Sequence, residues 1–130
     1  MNFLKYQLPF LVWAIIVYVV SAIPFLQRFM YTPPGIEKIV HAVLFFVLCW
    51  LTWRLFYNQE GFPVMRGAAL LGSFLFCLVF GFLDEYHHNF VSGRSADMNN
   101  VIANVGGAML FVAISLLRRH KSAKDESEGS

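Results

Sequence analysis

Four separate apolar runs, each close to twenty residues, constrain this chain more than any other feature. They cover residues 8–25, 36–56, 67–86 and 98–117. At about 1.5 Å per residue, a helix of about 20 residues crosses a hydrocarbon layer of about 30 Å. Backbone polar groups in lipid must be satisfied within the segment, so runs of this kind cross as helices. Composition agrees. Of 130 residues, 58% are hydrophobic and only 14% are charged, and Phe alone supplies 14. One core of this size cannot hide so much apolar surface from water. A soluble globule, a disordered chain, a collagen-like repeat and a disulfide scaffold are excluded. The expected architecture is all-α: an integral membrane bundle of four transmembrane helices over residues 1–121. Residues 122–130 have the composition of a disordered cytoplasmic tail.

Turn-rich breaks at 31–35, 58–63 and 89–96 separate the runs, and no internal repeat is visible. The first run is too long and too evenly apolar for a signal-peptide core, so an uncleaved span is expected. With four spans, the N-terminus, the second loop and the C-terminus share one side. That side holds Lys5, Arg54, Arg66, Arg118, Arg119, Lys121 and Lys124, seven of the ten Lys and Arg residues; Arg28, Lys38 and Arg94 fall on the other. The excess predicts a multi-pass protein of the cell membrane with both termini cytoplasmic. A net charge of +2 is too small to argue for nucleic acid, and no basic-aromatic patch in the sequence suggests one, so no nucleic-acid partner is expected. Cys49 and Cys77 sit inside apolar runs, far from metal-site spacing, and read as packing residues. Trp13, Trp50 and Tyr18 read as packing or lipid-facing groups, and Trp53 and Tyr57 near Arg54 as an inner interfacial belt.

Polar groups are expensive inside a membrane, so their placement is informative. Lys38 and His41 lie three apart at the outer end of the second run. Gly81, Glu85 and His88 form an i, i+4, i+7 stripe at the outer end of the third, with Asp84 beside it. Asp97, Asn100, Asn104 and Gly107 form an i, i+3, i+7, i+10 stripe opening the fourth, and Arg94 sits in the loop between. By helical rise, His41 and Asn104 lie about 10 Å inside the outer boundary. Three helices therefore bring polar groups to one layer. Plainer roles compete: Asp97 or Ser95 as a helix cap, and Asn104 as interhelical glue. Small residues Gly81, Ala103, Gly106, Gly107 and Ala108 are expected to let helices approach closely. Pro24 is expected to break the first span near the surface.

The segment from Gly81 through Asp84, Glu85, His88, Gly93 and Arg94 to Asp97, continued by Asn100, Asn104 and Gly107, resembles the signature of the VanZ-like membrane family. Upstream, Glu37, Lys38 and His41 match that family's acidic-Lys-x-x-His element, and Ser21 and Pro24 match its Ser-x-x-Pro. The resemblance spans 21–107. The chain departs from the pattern at His88, where Gln is common, at Ser92, where Pro is common, and at Asn100, where a second acidic residue is usual. The family is named for an accessory of glycopeptide-antibiotic resistance, so the resemblance implies a cell-envelope role.

Two functional accounts use the same residues. In the first, the protein recognises an anionic or glycosylated lipid-linked group. Lys38 and Arg94 hold phosphate or carboxylate, and Asp84, Glu85, Asp97, Asn100 and Asn104 orient them and bind hydroxyls or amides. In the second, it is a membrane-embedded enzyme acting on a phosphate- or acyl-containing lipid-linked substrate. His41 or His88 is then the general base, Glu85 orients it, and Lys38 with Arg94 forms the electrostatic clamp. A metal variant would use His41, Glu85 and His88, but the single Glu-x-x-His copy does not make a di-metal bundle. No cofactor or metal is expected. Membrane lipids or lipid-linked cell-wall intermediates are the expected partners. A third account makes the chain a structural partner within a larger membrane complex.

Overall fold

The computed structural model describes residues 3–22, 36–59, 61–90 and 98–129. The chain opens with a wide π-helical turn, Phe3–Gln7, which runs into α1, Leu8–Ala22. Pro9 is the physical reason for this start. It has no N–H to give the Lys5 carbonyl four residues back, and its ring crowds that carbonyl. The Lys5 oxygen instead lies 3.5 Å from the Arg54 guanidinium. The second span is α2, Ile36–Tyr57. Its last carbonyls are covered from beyond the helix: Asn58 Nδ2 donates to Arg54 O at 2.7 Å and Gln59 Nε2 to Leu55 O at 3.1 Å. Gly61, at φ +87°, makes the turn that only glycine adopts readily. A short helix α3, Pro63–Gly67, precedes α4, Ala69–His87, so the third span begins two residues later than its apolar run. A 3-10 turn, His88–Phe90, ends it. The last helix, α5, is Met98–Glu128. No strand occurs among the described residues.

Successive spans run antiparallel, with α2 at the centre against α5 and α4 and α1 at the edge. Val17, Leu44, Phe45, Leu48, Cys49, Cys77, Ala108 and Phe111 form the core. Both cysteines are buried free thiols, as packing residues should be. Trp13, on the edge helix, ties α1 to α2 by donating from Nε1 to Leu44 O at 2.9 Å. Large side chains such as Ile15, Ile39, Leu71, Leu83, Ile102 and Leu110 face outward all round the bundle. That surface would aggregate in water and matches hydrocarbon.

In lipid, helices associate through close packing rather than by escaping water, and one glycine sets the closest approach. A Cβ on Gly107 would lie 2.0 Å from the Ala42 carbonyl oxygen, so α5 and α2 touch backbone to backbone there. Gly81 is tighter than usual against Phe45 and Asn104, at 3.2 and 3.3 Å. Gly106, expected from sequence to share this role, is exposed, with nothing within 4 Å of its would-be Cβ. One helical step of about 100° turns it to the lipid. The 122–130 segment, where composition suggests no fixed structure, continues α5 as an exposed helix to Glu128. A Lys124–Glu128 pair at 3.9 Å and a Ser127 Oγ to Lys124 O bond at 2.9 Å lie along it.

Candidate functional site: a buried polar layer at one end of the bundle

The antiparallel arrangement brings the end of α1, the start of α2, the end of α4 and the start of α5 to one level. Ser21, His41, Asp84, Glu85, Asn100 and Asn104 are all buried there, each no more than 5% exposed. Lys38 is half-buried beside them. The stripes explain the convergence: each polar set sits at i, i+3 or i+4 spacing and therefore turns to the bundle axis.

Asn100 joins two of the candidate residues. Its Oδ1 accepts from the Lys38 ammonium, and its Nδ2 donates to Glu85 Oε1 at 3.2 Å. An amide can do both at once; a carboxylate in its place could only accept. An amide at position 100, where the family usually has an acid, thus supplies Glu85 with a donor that an ionised carboxylate would lack. One turn deeper, His41 Nδ1 meets Asn104 Oδ1 at 2.9 Å. Gly81 leaves the room that the Asn104 amide fills. The Asn104 Nδ2 is buried with no acceptor among the described residues.

The first span also contributes, which the polar stripes of the other three did not indicate. Ser21 Oγ donates to Asp84 Oδ2 at 2.7 Å, with both residues buried. Three residues earlier on the same face, Tyr18 OH meets His87 Nε2 at 3.1 Å, with the rings 5.0 Å apart. Tyr18 and Ser21 carry the i, i+3 spacing that could have revealed a polar face on α1. Of the other candidates, His88 lies in the 3-10 turn, and Arg94 and Asp97 lie outside the described residues. No cluster of three or more His, Cys, Asp or Glu side chains suited to a metal ion occurs among the described residues.

Four spanning helices closed around a buried polar layer define a small multi-pass membrane protein with an intramembrane polar centre. The family model described as VanZ/LLP1 matches residues 2–119, and the chain belongs to that family. No curated protein and no solved structure matches it.

Proposed function

We propose that the polar layer recognises an anionic or glycosylated lipid-linked group of the bacterial cell envelope, and that this recognition underlies a role in resistance to glycopeptide or lipopeptide antibiotics. The layer faces the outer leaflet and both termini are cytoplasmic. The reading rests on one observation: all four spans place buried, hydrogen-bonded polar side chains at one level, including the adjacent carboxylates Asp84 and Glu85. Glue between helices needs only Ser, Thr or Asn. Each acid or base carried into a membrane costs about 3 kcal/mol on insertion scales, an expense that packing alone does not require. Lys38, at the half-buried rim, supplies the positive charge for phosphate or carboxylate, and Asn100 with Glu85 fixes its position. Asn104 and His41 offer deeper polar contacts for hydroxyl or amide groups.

The orientation draws on the opposite end of the bundle, where Lys5, Arg54 and Arg66 sit among Tyr6, Trp50 and Tyr57. A basic and aromatic rim of this kind marks a cytoplasmic boundary.

The test compares cells carrying the wild-type protein, Lys38→Met or Glu85→Gln at matched membrane abundance, challenged with glycopeptide and lipopeptide antibiotics. Wild type should protect, and either variant should lose most of that protection. Undiminished protection by both variants overturns the reading.

A further inference from the structure

The last helix outruns the membrane. α5 covers 31 residues, and about 20 suffice to cross a hydrocarbon layer of about 30 Å. Its apolar run ends at Leu117, yet the helix continues unbroken to Glu128. A coil would lose its register past Leu117, whereas a helix keeps it. Leu110, Ile114, Leu117, Lys121 and Lys124 therefore follow one another at spacings of four and three residues along one face. The first three are 56%, 37% and 68% exposed and meet lipid. The face then turns cationic where the hydrocarbon ends, and both lysines are exposed. Arg118, also exposed, stands three residues before Lys121 and adjoins it on the helix surface.

Depth decides what this strip meets. By helical rise, Lys121 lies about 6 Å beyond Leu117, within the headgroup layer of about 5–8 Å on each side of a bilayer. The acids of the tail begin at Asp125, about 12 Å beyond Leu117 and past that layer. Arg118 and Lys121 have no ion pair, hydrogen bond or ring contact among the described residues, and Asp125, one turn past Lys121, does not pair with it. Lys124 meets Glu128 at 3.9 Å with both side chains 66% exposed, and an exposed pair of that kind is weak. At the same end of the bundle, Lys5, Arg54 and Arg66 each lie over an aromatic ring, so the cations of α5 are the less engaged set. We infer that Arg118, Lys121 and Lys124 bind the headgroup of an anionic phospholipid in the leaflet that α5 leaves, with its chains along Leu110, Ile114 and Leu117. A soluble anion would use the cations without the apolar strip, and a zwitterionic lipid would use the strip without the net charge. The strip lies at the opposite end of α5 from Asn100 and Asn104, so changes at Lys38 or Glu85 leave it intact.

The full chain is placed in phosphatidylcholine vesicles with a trace of chain-spin-labelled phosphatidylglycerol or chain-spin-labelled phosphatidylcholine. The motionally restricted fraction of each label gives the relative affinity of the two lipids. The unaltered protein should prefer the anionic lipid at low salt, and the preference should shrink as salt rises. Arg118→Gln, Lys121→Gln and Lys124→Gln together should lower it by about fivefold for each cation engaged. Lys121→Arg with Lys124→Arg should retain it. All three positions are exposed, so these changes leave the bundle's packing alone. Lys121→Asp with Asp125→Lys keeps composition and net charge but moves one cation a turn beyond the headgroup layer, and it should lower the preference too. Equal affinity for the two lipids in the unaltered protein overturns the inference, as does a preference untouched by the triple Gln change. A preference untouched by the Lys121–Asp125 exchange overturns the placement of Lys121 among the headgroups. Loss of the preference on adding soluble glycerophosphate at constant ionic strength overturns the lipid in favour of a free anion.

Discussion

Replacing Gly107 by Ala adds one methyl group, and the structure sets its cost. The new Cβ would stand 2.0 Å from the Ala42 oxygen and 2.8 Å from its carbonyl carbon, where ordinary contact begins at 3.4 Å. Both obstacles are backbone, so no side-chain rotation relieves the overlap, and α5 must back away from α2 by more than about 1 Å. A gap of that size forfeits about a quarter to a half of the dispersion energy of each contact it opens. Phe45, Ala108 and Phe111 are among the core residues contributed by these two helices. The same shift stretches the His41–Asn104 contact, now 2.9 Å, beyond hydrogen-bonding range. The expected loss is about 3 kcal/mol, the upper part of the overpacking range, or about a hundredfold in the folded-to-unfolded ratio. Gly106→Ala is the matched control, because its Cβ meets nothing within 4 Å. Reversible unfolding of the purified protein in detergent, followed by tryptophan fluorescence, gives both numbers. Equal stability of the two variants would refute the close approach of α2 and α5.

Three further outcomes are expected. Asn100→Asp should destabilise the bundle by about 1–3 kcal/mol in the same unfolding assay, because the donor to Glu85 is replaced by a carboxylate; Asn100→Gln, which keeps an amide, should cost less. Ser21→Ala removes the hydroxyl that donates to Asp84 at 2.7 Å and should cost about 1–3 kcal/mol, the range for a buried polar group that loses its partner; a neutral result would mean α1 is not tied to α4 at this point. A cysteine placed at Gly61 should be shielded from an impermeant external thiol reagent while one at Gly93 reacts, and the reverse pattern would turn the polar layer to the cytoplasm.

Much of the architecture can be read from hydrophobicity alone, because lipid leaves few ways to satisfy a backbone. Leu8 opens α1 where its apolar run begins, and α2 and α5 are helical from the first described residue of their runs, Ile36 and Met98. The third span starts late because Pro63 opens a separate helical turn ahead of it. Spacing also brings Lys38, His41, Asp84, Glu85, Asn100 and Asn104 to one level, since stripes at helical period at matching depths must face one another. Spacing does not reveal which atom meets which. Asn100 looks from sequence like the loss of an acid, and only its position between Lys38 and Glu85 shows an amide accepting from one and donating to the other. Ser21 stands out in the sequence only through its match to the family's Ser-x-x-Pro, because one hydroxyl near a helix end has many ordinary uses, and its partner Asp84 is 63 residues away. Gly106 and Gly107 are indistinguishable until the rotation of α5 is known.

A polar layer that holds an envelope group should carry that group with it out of the membrane. Wild type, Lys38→Met and Glu85→Gln are purified from native membranes in mild detergent, and the retained lipids are identified by mass spectrometry. An anionic or glycosylated lipid-linked species should be enriched with the wild-type protein and depleted at least severalfold from both variants, while bulk phospholipid is unchanged. Identical lipid inventories from all three would contradict envelope-group binding and leave the layer as a structural tie between helices.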